Sequence, residues 1–169
     1  MKKEEFLLSL AKLPPQHVVA YSMGGRLALE SLLYYNACFL SLTLLSTTIT
    51  LEDCDERIKK EGVWIGRLKT LSIEGFIKYW YNQNLFEGFL PPASRFKQNK
   101  DDLIKVLEQY SITKMPCLKK HTDTLVHYIY RKNDHKATEL QNVHFIEAKS
   151  HAIHLERANL IKAFLQQSI

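Results

Sequence analysis

The sequence predicts an α/β fold, a parallel sheet of about four strands with helices on its faces. Two observations carry this. Four short, largely apolar runs read as buried strands: His17–Tyr21 (HVVAY), Phe39–Ser46 (FLSLTLLS), Thr124–Tyr130 (TLVHYIY) and Val143–Glu147 (VHFIE). Stretches with apolar residues at helical spacing lie between and around them, and such alternation gives a parallel sheet covered by helices.

Each element has a local reason. Lys3 to Leu13 places Phe6, Leu7, Leu10 and Leu13 on one helical face, and Pro14-Pro15 ends it. After HVVAY, a helix opens at Ser22 and carries Leu27, Ala28, Leu29, Leu32 and Leu33, with Asn36 as its stop. From Thr47 to about Phe96 the pattern is mostly helical, with Trp64, Leu68, Leu71, Phe76, Ile77 and Trp80 as apolar positions and Pro91-Pro92 as the break. Asp101 to Tyr110 is another helix, carrying Leu103, Ile104 and Leu107. His135 to Leu140 predicts a short helix and Ile153 to Gln167 a closing one. The excursion between the second and third strands is too long for a plain crossover. It predicts one domain over residues 1–169 with a helical lid insertion at about 50–110, set over the strand ends where open parallel sheets place their sites.

The chain has 169 residues, 46% of them apolar, enough for one domain with a real core. No apolar run reaches the roughly 18 residues that span a bilayer, so no membrane association is expected. The opening MKKEEFLLSL is not read as a signal peptide, because two Glu follow the Lys pair and no small-residue cleavage site follows. Cys38, Cys54 and Cys117 are an odd number without metal-ligand spacing, which predicts reduced thiols and a cytoplasmic protein. The net charge of +5 is a mild excess spread along the chain. It could steer a small anionic substrate, and it lacks the clustered Lys and Arg of a nucleic-acid footprint. Lys119-Lys120-His121 is the densest basic patch and reads as a solvated loop.

Ala20-Tyr21-Ser22-Met23-Gly24-Gly25 sits at a strand-to-helix junction. A nucleophile elbow has the pattern G-x-S-x-G there, because the tight turn leaves the Ser strained and its neighbours two residues away nearly free of side chains. Ala20 is small enough, though it departs from Gly, and Gly24 fits. The plain alternative is a Ser at an ordinary helix N-cap. A serine nucleophile needs a base, and the base an orienting acid. Asp134 follows the third strand in the loop Arg131-Lys132-Asn133-Asp134. His151 follows the fourth in the loop Ala148-Lys149-Ser150-His151. Both lie past carboxyl ends of strands, as Ser22 does, and the order Ser, acid, His is that of the α/β-hydrolase triad. The chain therefore reads as the C-terminal part of an α/β-hydrolase fold. His154 could share a helix face with His151 and hold a metal, but no third ligand stands at suitable spacing, so no metal and no cofactor is expected. His17, His127 and His144 read as packed or surface residues. His135, beside Asp134, is the one rival base.

At these residues a resemblance enters. Tyr21 to Leu29 (YSMGGRLAL) resembles the elbow of the 2-succinyl-6-hydroxy-2,4-cyclohexadiene-1-carboxylate synthase family, α/β-hydrolase-fold lyases of menaquinone biosynthesis. Leu44 to Thr48, the lid-like Gly75 to Trp80 with Asn84 to Phe86, and Tyr128 to Asp134 are similar to further segments of that family. Ser150 to Glu156 (SHAIHLE) resembles its G-H-x-x-H-x-E histidine loop. Arg131 and Ser150 stand where the family has Gly. The resemblance implies elimination of pyruvate from a succinyl-bearing cyclohexene carboxylate. Ser22 would take the proton, His151 relay it and Asp134 orient the imidazole. The Met23 backbone N–H would serve as an oxyanion donor, and Arg26 would bind a substrate carboxylate. Arg26 is one helical turn past Ser22 and can lean back toward the elbow. An ordinary surface Arg is its plain alternative. Tyr21 and Trp80 would line the pocket or simply pack in the core, and Arg57 and Lys60 would add carboxylate contacts from the lid.

Members of that family carry four strands before the elbow strand, and here the elbow comes after only 21 residues. The expectation is a truncated chain without the loop that supplies a second oxyanion donor, a loss of roughly 3–4 kcal/mol of barrier in a hydrolase. The elbow strand would become an exposed apolar edge open to self-association. Two other readings stand beside the lyase: an esterase or C–C hydrolase of the same fold, and a non-catalytic remnant or interaction protein that pairs through that edge.

Overall fold

The computed structural model of the chain describes residues 2–51, 53–132, 134 and 140–168. They form two compact units, Met1–Thr50 with Pro116–Ile169, and Leu51–Met115.

The first unit is built on four strands: β1 (Gln16–Tyr21), β2 (Phe39–Leu45), β3 (Leu125–Arg131) and β4 (Val143–Ile146). Their order in the sheet is the order in the chain, and every pairing is parallel. Ala20 pairs with Leu44, Leu44 with Tyr128, and Ile129 with His144. The parallel register brings the carboxyl ends of all four strands to one rim. β2 is flanked on both sides, and all of it is buried except Leu40, Ser41 and Thr43 being buried with the rest. β1 is an edge strand, and its first residues alternate between partly buried and exposed.

Helix α1 (Lys3–Ala11) stops two residues short of the expected Leu13. Proline disfavours helical angles at the residue before it, and Leu13 precedes Pro14. Helix α2 (Ser22–Tyr34) returns the chain from β1 to β2. It ends where Asn36 takes left-handed angles, φ 57°, and the Ala37 N–H closes onto the Ser31 carbonyl at 3.2 Å. The Ser31 hydroxyl in turn donates to the Leu7 carbonyl at 2.9 Å and ties α1 to α2.

Under the rim of β2 to β4, Leu45, Ile129, Ile153 and Ile161 form a buried cluster with Tyr21 and Phe164 against it. His127 and His144 pack on Phe164, with ring centroids 5.2 and 4.5 Å away, while His17 Nδ1 meets the Ser41 hydroxyl at 2.8 Å. The closing helix is not continuous. It divides into α6 (Ile153–Glu156) and α7 (Ala158–Ser168). Arg157, at φ −128° and ψ 37°, leaves the helical range, and its guanidinium donates to the Glu147 carbonyl at 2.6 Å. The short helix expected at His135–Leu140 lies, apart from Leu140, outside the described residues.

The second unit holds α3 (Cys54–Thr70), α4 (Ile73–Tyr81) and α5 (Lys100–Gln109) around Trp64, Leu68, Phe76 and Ile77. The expected lid insertion at about 50–110 covers most of it. Each helix opens on a capping side chain: Asp53 accepts from the Glu56 N–H, Ser72 from Gly75 and Asn99 from Asp101. No described helix is long and apolar enough to cross a membrane.

Candidate active site

The rim of the sheet at the carboxyl end of β1 turns directly into α2, and the turn is made at Ser22. Its φ is +51°, in the left-handed region that a residue with a side chain enters only at a cost, on the order of 1–3 kcal/mol. That strain is the signature of an elbow and not of an ordinary N-cap, which has extended angles.

The glycine that makes the turn possible is not the one the motif points to. A Cβ at Gly24 would meet nothing within 4 Å, whereas one at Gly25 would overlap the side chain of Thr47. Gly25 therefore lets α2 approach the turn that follows β2. That turn is itself held from below. The Tyr130 phenol, 1% exposed, donates to the Thr47 carbonyl at 2.6 Å. Burial, helped by the neighbouring Tyr128 and Asp134, pushes this phenol far above its ordinary pKa, so it stays a donor.

His151 arrives from the loop between β4 and α6. Its Nε2 lies 2.8 Å from the Ser22 Oγ, across 129 residues of sequence. The Tyr21 ring packs near two imidazoles, 5.2 Å from that of His151 and 4.2 Å from that of His154. Burial lowers the pKa of His154, and its Nδ1 has no hydrogen-bond partner among the described residues. His154 thus packs against Tyr21 where burial favours its neutral form.

Asp134 is half-buried in the turn that leaves β3, with its N–H donating to the Arg131 carbonyl at 3.0 Å. It stands at the same rim as Ser22 and His151. His135, the rival base, lies outside the described residues. Met23 is the second residue of α2, where a helix leaves its N–H groups without intrahelical acceptors. Arg26, one turn further, is only 8% exposed, so it is not an ordinary surface residue.

The remaining expected site residues belong to the second unit. Arg57 Nε bonds Glu61 at 2.7 Å and its guanidinium lies 5.0 Å over the Trp64 ring. Trp80 sits edge-on to Trp64 at 4.9 Å within the aromatic cluster. Lys60 pairs with Glu56 at 2.8 Å on the exposed face of α3. The three cysteines are unpaired and exposed. Among the described residues no three His, Cys, Asp or Glu side chains gather as metal ligands would.

A strained serine hydroxyl bonded to an imidazole can exchange its proton with that imidazole. The serine oxygen can then act as a base or as a nucleophile.

No family model matches the chain. The chain is similar to 2-succinyl-6-hydroxy-2,4-cyclohexadiene-1-carboxylate synthase of Photorhabdus laumondii, with 26% identity over 111 residues. The match takes in 60% of this chain and 40% of that protein, so it spans well under two thirds of the relative's length. Among solved structures, MenH from S. aureus superposes with a TM-score of 0.81 at 21% identity, over 98% of this chain and 74% of that one. A marine microorganism esterase gives 0.65 at 12% identity, over 100% and 78%. A probable hydrolytic enzyme of Pseudomonas aeruginosa PAO1 gives 0.63 at 14%, over 99% and 69%. These likenesses establish the fold: the chain has the strand and helix arrangement of an α/β-hydrolase.

Proposed function

We propose that this chain carries the Ser22, His151 and Asp134 of a carbon–oxygen lyase. The enzyme would eliminate pyruvate from 2-succinyl-5-enolpyruvyl-6-hydroxy-3-cyclohexene-1-carboxylate to give 2-succinyl-6-hydroxy-2,4-cyclohexadiene-1-carboxylate, a step of menaquinone biosynthesis. The observation that carries the proposal is the 2.8 Å contact between Ser22 Oγ and His151 Nε2 at a serine with φ +51°. The likeness to the Photorhabdus synthase supports this choice of substrate.

In the proposed reaction His151 Nε2 takes the Ser22 proton, and the serine oxygen takes a proton from the ring carbon of the substrate. The ring carbon–oxygen bond to the enolpyruvyl group breaks, and its electron pair leaves with the pyruvate enolate. A second ring double bond forms. The imidazolium returns a proton, and the enolate becomes pyruvate. Asp134 would hold the imidazole in the tautomer that accepts at Nε2. The Met23 N–H would face the oxyanion that develops on the succinyl carbonyl. Arg26 would take a carboxylate of the substrate, and Tyr21 would wall the pocket beside His151. No redox partner is needed, since the substrate divides into product and pyruvate with all atoms accounted for.

The same Ser–His pair would serve acyl transfer in an esterase, and the likeness to the marine esterase favours that as the second reading. An assay of the purified chain with the cyclohexene substrate and with simple acyl esters separates the two. The lyase reading expects pyruvate release from the former, little ester hydrolysis, and loss of elimination in Ser22→Ala. Ester hydrolysis without elimination moves the assignment to the esterase. Elimination at an unchanged rate in Ser22→Ala overturns the role of the serine.

A further inference from the structure

His151 sits on a loop with no regular structure of its own, so something must hold its half-buried imidazole against Ser22. The loop backbone is held at several points. The Arg131 guanidinium donates to the Lys149 carbonyl at 2.8 Å, and the Ala152 N–H donates to the buried Ser150 hydroxyl at 2.9 Å. The strongest attachment comes from Glu156, five residues beyond His151. Its carboxylate accepts the Lys149 N–H on both oxygens, at 2.9 and 3.0 Å, and the Ser150 N–H at 2.9 Å.

We infer that Glu156 is a positioning residue: its carboxylate clamps the two peptides before His151 and so sets the imidazole within reach of Ser22. Several features support this. Glu156 is the last residue of the four-residue α6, and Arg157 behind it leaves helical angles. The carboxylate is therefore turned back onto the loop instead of running out along a longer helix. Hydrogen bonds from a carboxylate to backbone N–H groups are charge-assisted and stronger than neutral ones. The Ser150 N–H first, then that of Lys149, holds the Glu156 pKa below its ordinary value, with Arg157 adding to the effect. The clamp thus stays ionised near neutrality. The Glu156 carboxylate bonds the loop backbone at Lys149 and Ser150, so it acts through the loop.

The inference rests on the reading of Ser22 and His151 as a working pair, and the test separates the two. Wild type, Glu156→Ala and Glu156→Gln are compared by three measurements on the full chain. These are the rate of Ser22 labelling by a fluorophosphonate, the imidazole titration of His151 by NMR, and the thermal midpoint. The clamp predicts labelling slower by about 10–100-fold in Glu156→Ala, the scale of a misplaced catalytic group, together with a shifted His151 titration. Glu156→Gln keeps one acceptor oxygen and should fall between. If Glu156→Ala does not fold, Glu156→Gln decides. A lowered thermal midpoint with His151 titration and labelling as in wild type would make Glu156 merely structural and overturn the inference. If wild type itself resists labelling, Ser22 is not a working nucleophile, and the proposed function is judged by its own elimination assay. The clamp is then judged on the His151 titration alone: a shift in the variants supports it, and none overturns it.

Discussion

The His151 imidazole meets the Ser22 hydroxyl at 2.8 Å although the two residues come from opposite ends of the chain. A pair that shares one proton works as a unit, and knocking out either half should cost about as much as knocking out both. Ser22→Ala, His151→Ala and the double variant are therefore expected to lose activity to a similar degree, roughly 10³-fold or more. Turnover measured on the three variants checks this. Multiplying losses in the double variant would show that the two side chains act independently.

Gly25 is the tightest point of the elbow, because a Cβ there would overlap the Thr47 side chain. Gly25→Ala should destabilise the chain by about 1–3 kcal/mol, as overpacking does. Gly24→Ala should be mild, since that position has open space. Thr47→Ala should recover much of the loss in the Gly25→Ala background. Denaturant unfolding of these three variants and of Thr47→Ala alone reads the coupling, and equal losses at both glycines would refute it.

Tyr130→Phe keeps the packing and removes the hydrogen bond to the Thr47 carbonyl. The expected cost is about 1–3 kcal/mol, because a buried carbonyl loses its donor. Equilibrium unfolding measures it directly. An unchanged midpoint would mean that water replaces the phenol.

Acid should destabilise the fold in two stages. His127 and His154 are held below their usual pKa of 6.5 by burial, with His144 adding to the effect at His127. The unfolded chain takes up these protons first, so the stability from neutral imidazoles is present above about 6.5 and fades as pH falls below it. Glu156, held below its usual 4.5, adds stability that is lost only at lower pH, as its folded carboxylate becomes protonated. Thermal midpoints across the acid range test this, and His154→Leu should flatten the upper stage. A midpoint that rises from pH 7 to pH 5 would contradict the assignment.

β1 pairs with β2 alone among the described residues, and Val19 on it is 45% exposed. Open strand edges recruit further strands, and lysine on an edge blocks this. The chain is expected to associate with concentration in sedimentation experiments, and Val19→Lys should weaken the association. A monodisperse monomer at every concentration would rule it out.

The strands, their parallel pairing and the positions of Ser22, Asp134 and His151 past strand ends were legible from the chain itself. A buried strand must be a short apolar run, and a parallel sheet sends every such run toward the same rim. Periodicity also placed α2 and its stop at Asn36. It could not reveal the break at Arg157, because that depends on the Glu147 carbonyl, which only the folded loop brings within reach. Nor could it tell Gly25 from Gly24, since the clash is with Thr47, across the sheet rim. Arg26 is buried, and Glu156 turns back to hold the loop of His151. Spacing along a chain reports which face a residue shares, whereas a hydrogen bond or an overlap depends on where two separate stretches of backbone meet. The sequence by itself determined the sheet and the chemical groups along its rim. Only the tertiary structure decided which of those groups touch and what holds them there.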